Sequence, residues 1–233
     1  MHEMEDKRMV VAIDGPAGSG KSTIARRVAE KLGFLYIDTG AMYRAVGLWA
    51  LRLKVPLDDM HRLEQLALEA QIELCGTPQR VKLNGEDITE TIRTPEVSEA
   101  ASKSSAVAGV RRALVRKQRE MGEVSSVVME GRDIGTVVFP DAKVKVFLDA
   151  ASHVRADRRL KQLREMGNTP PEGETLREIV ERDHRDRSRA DSPLRQAPDA
   201  VYVDTTPMSL DEVEAVILKV VRDRTSNGKE VTP

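Results

Sequence analysis

The sequence predicts an α/β fold in which helices flank a sheet of five parallel strands. Short apolar runs typical of buried strands alternate with segments of helical periodicity along most of the 233 residues. A glycine-rich turn joins the first strand, residues 9–13, directly to a helix over 21–31 that Gly33 ends. Residues 56–95 depart from this alternation, and their short strands predict a small antiparallel insert.

The other elements of the sheet follow from the same two patterns. Strands are predicted at 34–37, 126–129, 144–148 and 200–203, where apolar runs are bounded by polar or turn-forming residues. Helices are predicted over 42–53, 95–121, 155–166, 176–190 and 210–222. The opening order of strand, loop, helix and strand is the beginning of an α/β sheet with parallel strands.

The insert is predicted to hold one helix, at 61–68, and three short strands at 72–74, 80–83 and 86–88. Asn84-Gly85 is the dipeptide most typical of a two-residue hairpin turn. A second irregular segment, 168–174, holds two prolines and a glycine after a cationic helix, and it predicts a mobile lid. We therefore divide the chain into core segments 1–59, 99–154 and 176–233, an insert at 60–98 and a lid at 155–175.

Composition argues against several classes of function. Lysine and arginine number 37 against 38 acidic residues, and a net charge of -1 is unlike the basic character of nucleic-acid binders. Aromatic residues make up only 3%, too few for a base-stacking surface. The single cysteine, Cys75, fits a reducing compartment, and no apolar run approaches the length of about 18 residues that spans a membrane. We expect a cytoplasmic monomer without nucleic-acid or membrane partners.

The glycine-rich turn carries the most informative chemistry. Residues 15–22 match the phosphate-loop pattern G-x-x-x-x-G-K-[ST] at every fixed position. Its amides can form an anion nest at a helix N-terminus, Lys21 can reach the β- and γ-phosphates of ATP, and Ser22 can ligate Mg²⁺. A glycine-rich turn with an accidental lysine is the alternative, which the flanking strand and helix disfavour. The predicted nucleotide contacts are Gly15, Pro16, Ala17, Gly18, Ser19, Gly20, Lys21, Ser22 and Thr23.

Polar residues follow the next two strands, at the sheet edge where ligands of open α/β sheets bind. Thr39, Tyr43 and Arg44 come after the second strand, and Arg132 and Asp133 after the third. The two arginines offer forks for a phosphate, and Asp133 can accept from an exocyclic amine such as cytosine N4. From the residues alone, Tyr43 is equally well a core side chain, and Arg132 with Asp133 equally well a surface ion pair.

Two arginine-rich helices complete the candidate chemistry. Arg182, Asp186 and Arg189 have helical spacing that places them on one face, which suits a phosphate and a ribose hydroxyl. A solvated helix laced with ion pairs is the alternative. The predicted lid helix can deliver cations to a migrating phosphoryl group, or can simply be a basic surface. Its arginines are Arg155, Arg158, Arg159 and Arg164.

With these residues in view, the chain resembles the bacterial cytidylate kinases. The most specific segment is 131–140, Gly-Arg-Asp-Ile-Gly-Thr-Val-Val-Phe-Pro. Further matching segments are 13–21, 38–44, 92–97, 146–150 and 181–189, and the match extends from about 10 to 221. The resemblance implies a nucleoside monophosphate kinase fold with a phosphate loop, a nucleotide-binding insert and a short lid. It also implies ATP and Mg²⁺ as donor and cofactor, with CMP or dCMP as acceptor.

Carried onto this sequence, the resemblance implies a role for each acceptor residue. Ser102, Arg111 and Asp133 would read cytosine. Arg44, Arg132 and Arg189 would hold the α-phosphate, and Asp186, with Arg182 nearby, would hold the sugar. Thr39 and Tyr43 complete the acceptor site, and Thr39 stands where serine is also common in the family. The predicted catalytic residues are Lys21, Arg132 and Arg158.

Two kinds of rival remain open at this point. One is a kinase of the same architecture that acts on another small acceptor, such as UMP or shikimate. The other is a nucleotide-gated switch or binding module without catalysis. A switch has no need for the many arginines at the strand ends, so the sequence favours an enzyme.

Overall fold

A computed structural model of the chain describes residues 8–76, 78–165, 167–171 and 173–225. Its strands are β1 (Val10–Asp14), β2 (Leu35–Asp38), β3 (Ile72–Cys75), β4 (Arg80–Leu83), β5 (Glu86–Asp87), β6 (Val127–Gly131), β7 (Val144–Asp149) and β8 (Val201–Asp204). Five of them form one parallel sheet in the spatial order β2-β6-β1-β7-β8. The predicted α/β class and all five predicted core strands are confirmed.

The helices of the described residues are α1 (Lys21–Leu32), α2 (Thr39–Arg52), α3 (Met60–Glu69), α4 (Pro95–Ser104), α5 (Ala108–Val124), α6 (Ser152–Glu165), α7 (Glu174–Ser188) and α8 (Leu210–Thr225). A 3₁₀ turn at Thr91–Arg93 and a π-helical turn at Ile134–Val138 complete the regular structure. Throughout the described segments, no helix is both long enough and apolar enough to cross a membrane.

The predicted antiparallel insert is also confirmed. β3, β4 and β5 form a separate three-stranded sheet in that order, with Ile72 opposite Leu83. Asn84 and Gly85 have φ values of 51° and 84°, the two left-handed residues that a tight hairpin turn needs. The insert packs on the core through apolar residues of α2, α3 and α5. The buried residues of this shared apolar cluster include Leu63, Leu66, Val81, Leu83, Ile88 and Leu114.

The register of the parallel strands brings their carboxyl ends level. Asp14 lies opposite Gly131 on one side and opposite Phe147 on the other. Asp38 lies opposite Glu130 in the same way. The turns that follow β1, β2 and β6 therefore open at one edge of the sheet. The phosphate loop, which follows β1, lies at the same edge as the residues that follow β2 and β6.

Both faces of the central strands are covered, so these strands are largely apolar, with Lys145 of β7 as a buried charged exception. Val11 and Ile13 pack on one face against α1 and α8, and neither is exposed at all. Ala12, Ile37 and Met129 pack on the other face against α5 and the π-helical turn. Continuous apolar runs are the expected signature of a sheet buried on both sides.

Three helix predictions are wrong in their boundaries, and one of them is α6, which begins at Ser152 instead of 155. The single helix predicted over 95–121 is two helices, α4 and α5, because Val107 is extended (φ -76°, ψ 117°) and turns the chain between them. Helix α2 begins at Thr39 instead of 42, because the Asp38 side chain accepts a hydrogen bond from the Ala41 N–H and caps the helix. The π-helical turn after β6 had no counterpart in the prediction.

Candidate active site

The phosphate loop runs from the end of β1 into the first turn of α1, and its glycines permit its course. Gly15 passes so close to β7 that a Cβ on it would lie 1.9 Å from the Leu148 carbonyl oxygen. Gly18 has a φ of +78°, in the left-handed region that side chains disfavour. Both positions resist a side chain, so the loop amides can curve around an anion at the helix N-terminus.

Lys21 begins α1 with its side chain buried beneath this loop. Its ammonium donates to the Pro16 carbonyl oxygen at 2.6 Å and to Ser19 Oγ at 3.3 Å. Burial, together with the nearby Arg132 guanidinium, lowers the pKa of Lys21 to about 7. A polyanion in the loop favours the charged amine, so Lys21 is placed to bind a polyphosphate.

A buried carboxylate, Glu130, lies behind the phosphate loop, and the sequence analysis gave it no role. Its side chain accepts a hydrogen bond from the Tyr36 hydroxyl at 2.5 Å, and its carbonyl oxygen accepts one from Thr39 Oγ1 at 2.7 Å. Burial and the Asp38 carboxylate raise the pKa of Glu130, while Lys21 opposes the change. An acidic residue that ends an apolar strand beside the phosphate loop was the signal that could have found it.

Asp14 is a second acidic residue that the predicted site omitted. Its two carboxylate oxygens accept hydrogen bonds from the backbone N–H groups of Ile134 and Gly135, both at 2.8 Å. Burial raises the pKa of Asp14 to about 7 although these hydrogen bonds oppose the rise. Asp14 thus ties the strand that leads into the phosphate loop to the π-helical turn that follows Asp133.

The predicted base-reading residues meet between α4, α5 and the turn after β6. Arg111 and Asp133 form an ion pair whose side chains are 2% and 5% exposed. The Arg111 guanidinium also lies 5.3 Å from the centre of the Tyr43 ring, which helps to orient both side chains. Within the described segments, Ser102 Oγ, Arg111 Nε and the Tyr43 hydroxyl are buried without a hydrogen-bond partner. Because buried polar atoms normally have partners, these atoms indicate a polar ligand.

Guanidinium groups crowd around one carboxylate in the middle of the site. Arg132 Nε donates to Asp186 at 3.0 Å, and Arg189 Nη1 lies 3.5 Å from the same side chain. Burial lowers the pKa of Arg182 to about 10, and the neighbouring Arg132 adds to the effect. Burial alone would raise the pKa of Asp186, but the three arginines hold that pKa below its usual value. One carboxylate among three guanidinium groups leaves positive charge for a bound phosphate.

Arg44 and Asp38 form a smaller pair at the start of α2. Asp38 caps the helix, and its carboxylate also accepts from Arg44 Nη2 at 2.8 Å. The pair holds Arg44 about one turn into α2, where its guanidinium faces the same cavity as Arg132. Thr39 lies in the same turn, 3% exposed.

Arg158 lies on the donor side of the site. Its Nη1 donates to Thr205 Oγ1 at 3.1 Å and its Nη2 donates to the Thr205 carbonyl oxygen at 2.8 Å. The Thr205 hydroxyl in turn donates to the Ser19 carbonyl oxygen of the phosphate loop at 3.2 Å. Thr205 follows β8 at the same sheet edge, and that position was the signal that could have identified it from sequence.

The donor and acceptor groups line one cavity of about 1440 Å³, while Asp14 and Tyr36 lie outside its lining. Every predicted acceptor and catalytic residue lines it. Of the predicted phosphate-loop contacts, Gly15 and Pro16 are the two that do not. The structure therefore brings together predicted residues that lie up to 172 positions apart in the chain, from Ala17 to Arg189.

The predicted Mg²⁺ position at Ser22 fits a metal ion that arrives with a nucleotide. Among the residues that the structure describes, no group of three or more His, Cys, Asp and Glu side chains is placed to hold a metal ion. Ser22 is exposed in the first turn of α1 and lies near the buried Glu130 carboxylate. Hard oxygen donors of this kind, completed by phosphate oxygens and water, are what Mg²⁺ prefers.

Known proteins are similar in sequence to nearly the whole chain. Residues 11–223 match the family model described as Cytidylate kinase. A cytidylate kinase from Solibacter usitatus (strain Ellin6076) is 61% identical over 232 residues, which cover 99% of each chain. One from Desulforamulus reducens (strain ATCC BAA-1160 / DSM 100696 / MI-1) is 53% identical over 204 residues, or 87% of this chain and 92% of that protein.

A solved structure supports the fold independently. The crystal structure of an uncharacterized protein from Eubacterium ventriosum ATCC 27560 aligns with a TM-score of 0.53 and 14% identity, covering 93% of this chain and 99% of that one. This alignment bears on the fold alone. Family membership rests instead on the family model, which spans most of the sequence, and on the high identity of full-length relatives. On these grounds the chain belongs to the cytidylate kinase family.

Proposed function

We propose that the chain transfers the γ-phosphoryl group of ATP to CMP or dCMP, giving ADP and CDP or dCDP. The observation that carries this proposal is the arrangement of a single cavity. Lys21 and the phosphate-loop amides line one part of it, and the guanidinium groups of Arg132 and Arg189 line another. Two anion sites in one cavity suit two nucleotides whose phosphates must meet.

The buried pair of Arg111 and Asp133 supports cytosine as the acceptor base. Cytosine presents an N4 amine donor next to the N3 and O2 acceptors. A carboxylate beside a guanidinium offers the complementary pattern, an acceptor next to donors. Uracil carries a carbonyl oxygen where cytosine has N4, and Asp133 repels that oxygen. Arg111 Nε and Ser102 Oγ, both without partners in the described segments, supply further hydrogen bonds to the base.

The chemistry proposed for the site is a direct in-line transfer. The bond between the γ-phosphorus and the β,γ-bridging oxygen of ATP breaks as a bond forms from a CMP phosphate oxygen. ADP leaves with the electron pair of the broken bond. A phosphate oxygen is already ionised near neutral pH, so no general base is needed. Lys21 and the guanidinium groups stabilise the charge that develops on the transferring group, and the enclosed cavity excludes water that would otherwise hydrolyse ATP.

Mg²⁺ is the cofactor that we assign to this reaction, held by Ser22 and by the phosphates of ATP. When bound, it neutralises charge on the β- and γ-phosphates. Glu130 lies near Ser22, where its carboxylate can orient that hydroxyl. Tyr36 holds Glu130 in place from the opposite side.

We further propose the division of the chain into core, insert (60–98) and lid (155–175). The insert carries the acceptor side and the lid covers the donor phosphates when both substrates are bound. One chain supplies every group of the cavity, so a monomer suffices for activity. We assign the enzyme to the cytoplasm, where its nucleotide substrates are found.

A coupled assay of ADP release tests the proposal. Each of CMP, dCMP, UMP and AMP is offered with ATP and Mg²⁺. We expect CMP and dCMP to give turnover of about 1–100 s⁻¹, typical of kinases, and UMP and AMP to react at least about tenfold less efficiently. ATP binding without ADP release for every acceptor would instead indicate a nucleotide-binding module, and a preference for UMP would indicate a different kinase.

A further inference from the structure

Asp14 stands at the junction between the donor and acceptor sides of the site. The residue is 4% exposed and lies outside the lining of the cavity, so it contacts neither substrate. It ends β1, and the next residue, Gly15, begins the phosphate loop. Its two carboxylate oxygens accept from the N–H groups of Ile134 and Gly135, both at 2.8 Å. One side chain therefore joins the start of the phosphate loop to a turn that begins 120 positions later in the chain.

The turn that Asp14 holds begins directly after Arg132 and Asp133, two residues of the acceptor side. The Asp133 carbonyl oxygen accepts from the N–H groups of Val137 and Val138, at 2.8 and 3.1 Å. The next two N–H groups in the chain after Asp133 donate to Asp14. The backbone of Asp133 is thus fixed from both directions. Because the backbone sets where a side chain starts, Asp14 also determines where the side chains of Arg132 and Asp133 begin.

The turn has little room to settle elsewhere. A Cβ on Gly135 would lie 3.1 Å from Lys145 Cδ and 3.4 Å from Asp14 Oδ2. Gly135 is therefore wedged between side chains of two neighbouring strands, β1 and β7. The Lys145 ammonium is itself occupied, because it donates to the Pro140 carbonyl oxygen and to Asp199. Lys145 limits the space around the turn, and Asp14 supplies the polar contact that orients it.

The position of Asp14 calls for a carboxylate in spite of the cost of burying one. Burial raises the pKa of Asp14 to about 7 and the Asp133 carboxylate adds to the rise, while the two N–H groups and Lys21 oppose it. A carboxylate can accept from two N–H groups at once. An asparagine of the same shape has one acceptor oxygen, and its NH₂ group would face one of the two N–H donors. The two hydrogen bonds are thus specific to the acid.

We propose that Asp14 is a positioning residue that sets Arg132 and Asp133 against the phosphate loop and so brings the acceptor phosphate to the donor phosphate. This inference rests on the proposed function and deepens it. In that function Arg132 binds the acceptor phosphate and Asp133 binds the base. A displacement of about 1 Å in such groups can lower the rate of transfer by about 10²-fold, because the reacting atoms must be aligned.

A role for Asp14 through Lys21 alone is the alternative, and the contacts of Lys21 argue against it. The Lys21 ammonium donates to Pro16 and Ser19, not to Asp14. The Asp14 carboxylate raises the pKa of Lys21, but Glu130 raises it more. We therefore expect ATP binding to depend little on Asp14. The two roles are separable, because an effect through Lys21 would weaken ATP binding first.

The test compares Asp14→Asn with Glu214→Gln. Glu214 is a buried carboxylate of α8 that pairs with Arg27 and Lys31 outside the cavity. Assays at pH 8 keep the Asp14 carboxylate of the wild type ionised, because its pKa is about 7. We expect Asp14→Asn to lower kcat by about 10–10²-fold, to raise the KM for CMP by up to about tenfold and to leave the Kd for ATP within about threefold. Glu214→Gln should lose stability in a thermal melt and keep its kcat.

A bisubstrate analogue gives a readout that a merely structural role would not change. Adenosine and cytidine joined by a chain of phosphates bind tightly only where the two sides of the cavity stand at their working distance. For Asp14→Asn, the loss of affinity for this analogue should exceed the product of the separate losses for ATP and CMP. Asp14→Ser keeps one acceptor and brings no NH₂ group, so it should show the same pattern. It also serves if the asparagine variant does not fold.

Three results would overturn the assignment. The first is a folded Asp14→Asn enzyme whose kcat lies within about threefold of wild type. The second is a loss of ATP affinity as large as the loss of kcat, which would place the effect at Lys21. The third is a loss of analogue affinity no greater than the product of the separate losses. Failure of the proposed function looks different, because the wild-type enzyme itself then releases no ADP with CMP.

Discussion

Replacing Lys21 with alanine is expected to lower kcat with CMP by about 10³-fold while the fold survives. The ammonium is the one lysine cation within the phosphate loop, and it lies under the loop with donors aimed at Pro16 O and Ser19 Oγ. In the complex these donors turn to the β- and γ-phosphates. Steady-state kinetics with CMP, together with circular dichroism and a thermal melt, measures both halves of the prediction.

Lys219→Ala is the matched control, because its side chain is 71% exposed and pairs only with Asp223 on the surface of α8. It should behave as wild type. Near-normal turnover in a folded Lys21→Ala enzyme would remove Lys21 from the reaction. It would also leave the phosphate loop without its proposed role.

The same lysine predicts a pH signature in ATP binding. Its pKa of about 7 in the folded protein means that the amine is mostly neutral at pH 8. Bound triphosphate favours the charged form, so at pH 8 ATP binding should take up close to one proton. Calorimetry in two buffers of different ionisation enthalpy measures that proton. Lys21→Ala should abolish the difference between the two buffers.

Replacing Asp133 with alanine is expected to reduce kcat/KM for CMP by at least about 10²-fold and to leave the KM for ATP within about threefold. The change removes the acceptor for cytosine N4. It also leaves Arg111, 2% exposed, without its ion pair, so a loss of stability of roughly 3–5 kcal/mol accompanies the loss of activity. Kinetics with each substrate varied in turn, together with urea unfolding, separates the two effects.

Asp133→Asn separates base recognition from stability, because an amide keeps the size of the side chain and can still accept from Arg111. We expect it to fold nearly as well as wild type and yet to discriminate poorly between CMP and UMP. Asp141→Asn, an exposed change eight residues away, is the control. If the KM for ATP rose while that for CMP stayed constant, Asp133 would not be reading the acceptor base.

Local sequence patterns were enough to predict the sheet. The strands are mostly apolar runs, because the central ones are buried on both faces, and each ends at a polar residue or a glycine. Asn84-Gly85 likewise fixed the hairpin, because both residues adopt positive φ. These features depend on neighbouring residues, and that is why they are visible in one sequence.

The features that were missed depend on distant contacts. The break between α4 and α5 contains no proline or glycine. It positions α4 so close to α2 that a Cβ on Gly47 would lie 2.8 Å from the Ala101 nitrogen. The π-helical turn after β6 is held by Asp14, 120 residues earlier in the chain. Neither of these distant contacts produces a recognisable pattern in the neighbouring sequence.

The site, too, has a part that local sequence predicts and a part that depends on distant contacts. The phosphate loop is a contiguous motif and could be identified from its residues alone. The acceptor residues are scattered from Thr39 to Arg189, and their alternatives as core or surface residues stayed open until a family resemblance connected them. The different surroundings of Arg158 and Arg159 were beyond sequence analysis, because the two residues are adjacent and identical. Only the contact of Arg158 with Thr205 distinguishes them.

The central claim is that the acceptor and donor phosphates meet within one cavity. A crystal structure with CMP and a non-hydrolysable ATP analogue tests it most directly. We predict the CMP phosphate on Arg44, Arg132 and Arg189, its base against Arg111 and Asp133, and the γ-phosphate of the analogue beside Lys21. CMP bound outside this cavity, or bound within it in the reverse orientation with its phosphate at Arg111, would contradict the account.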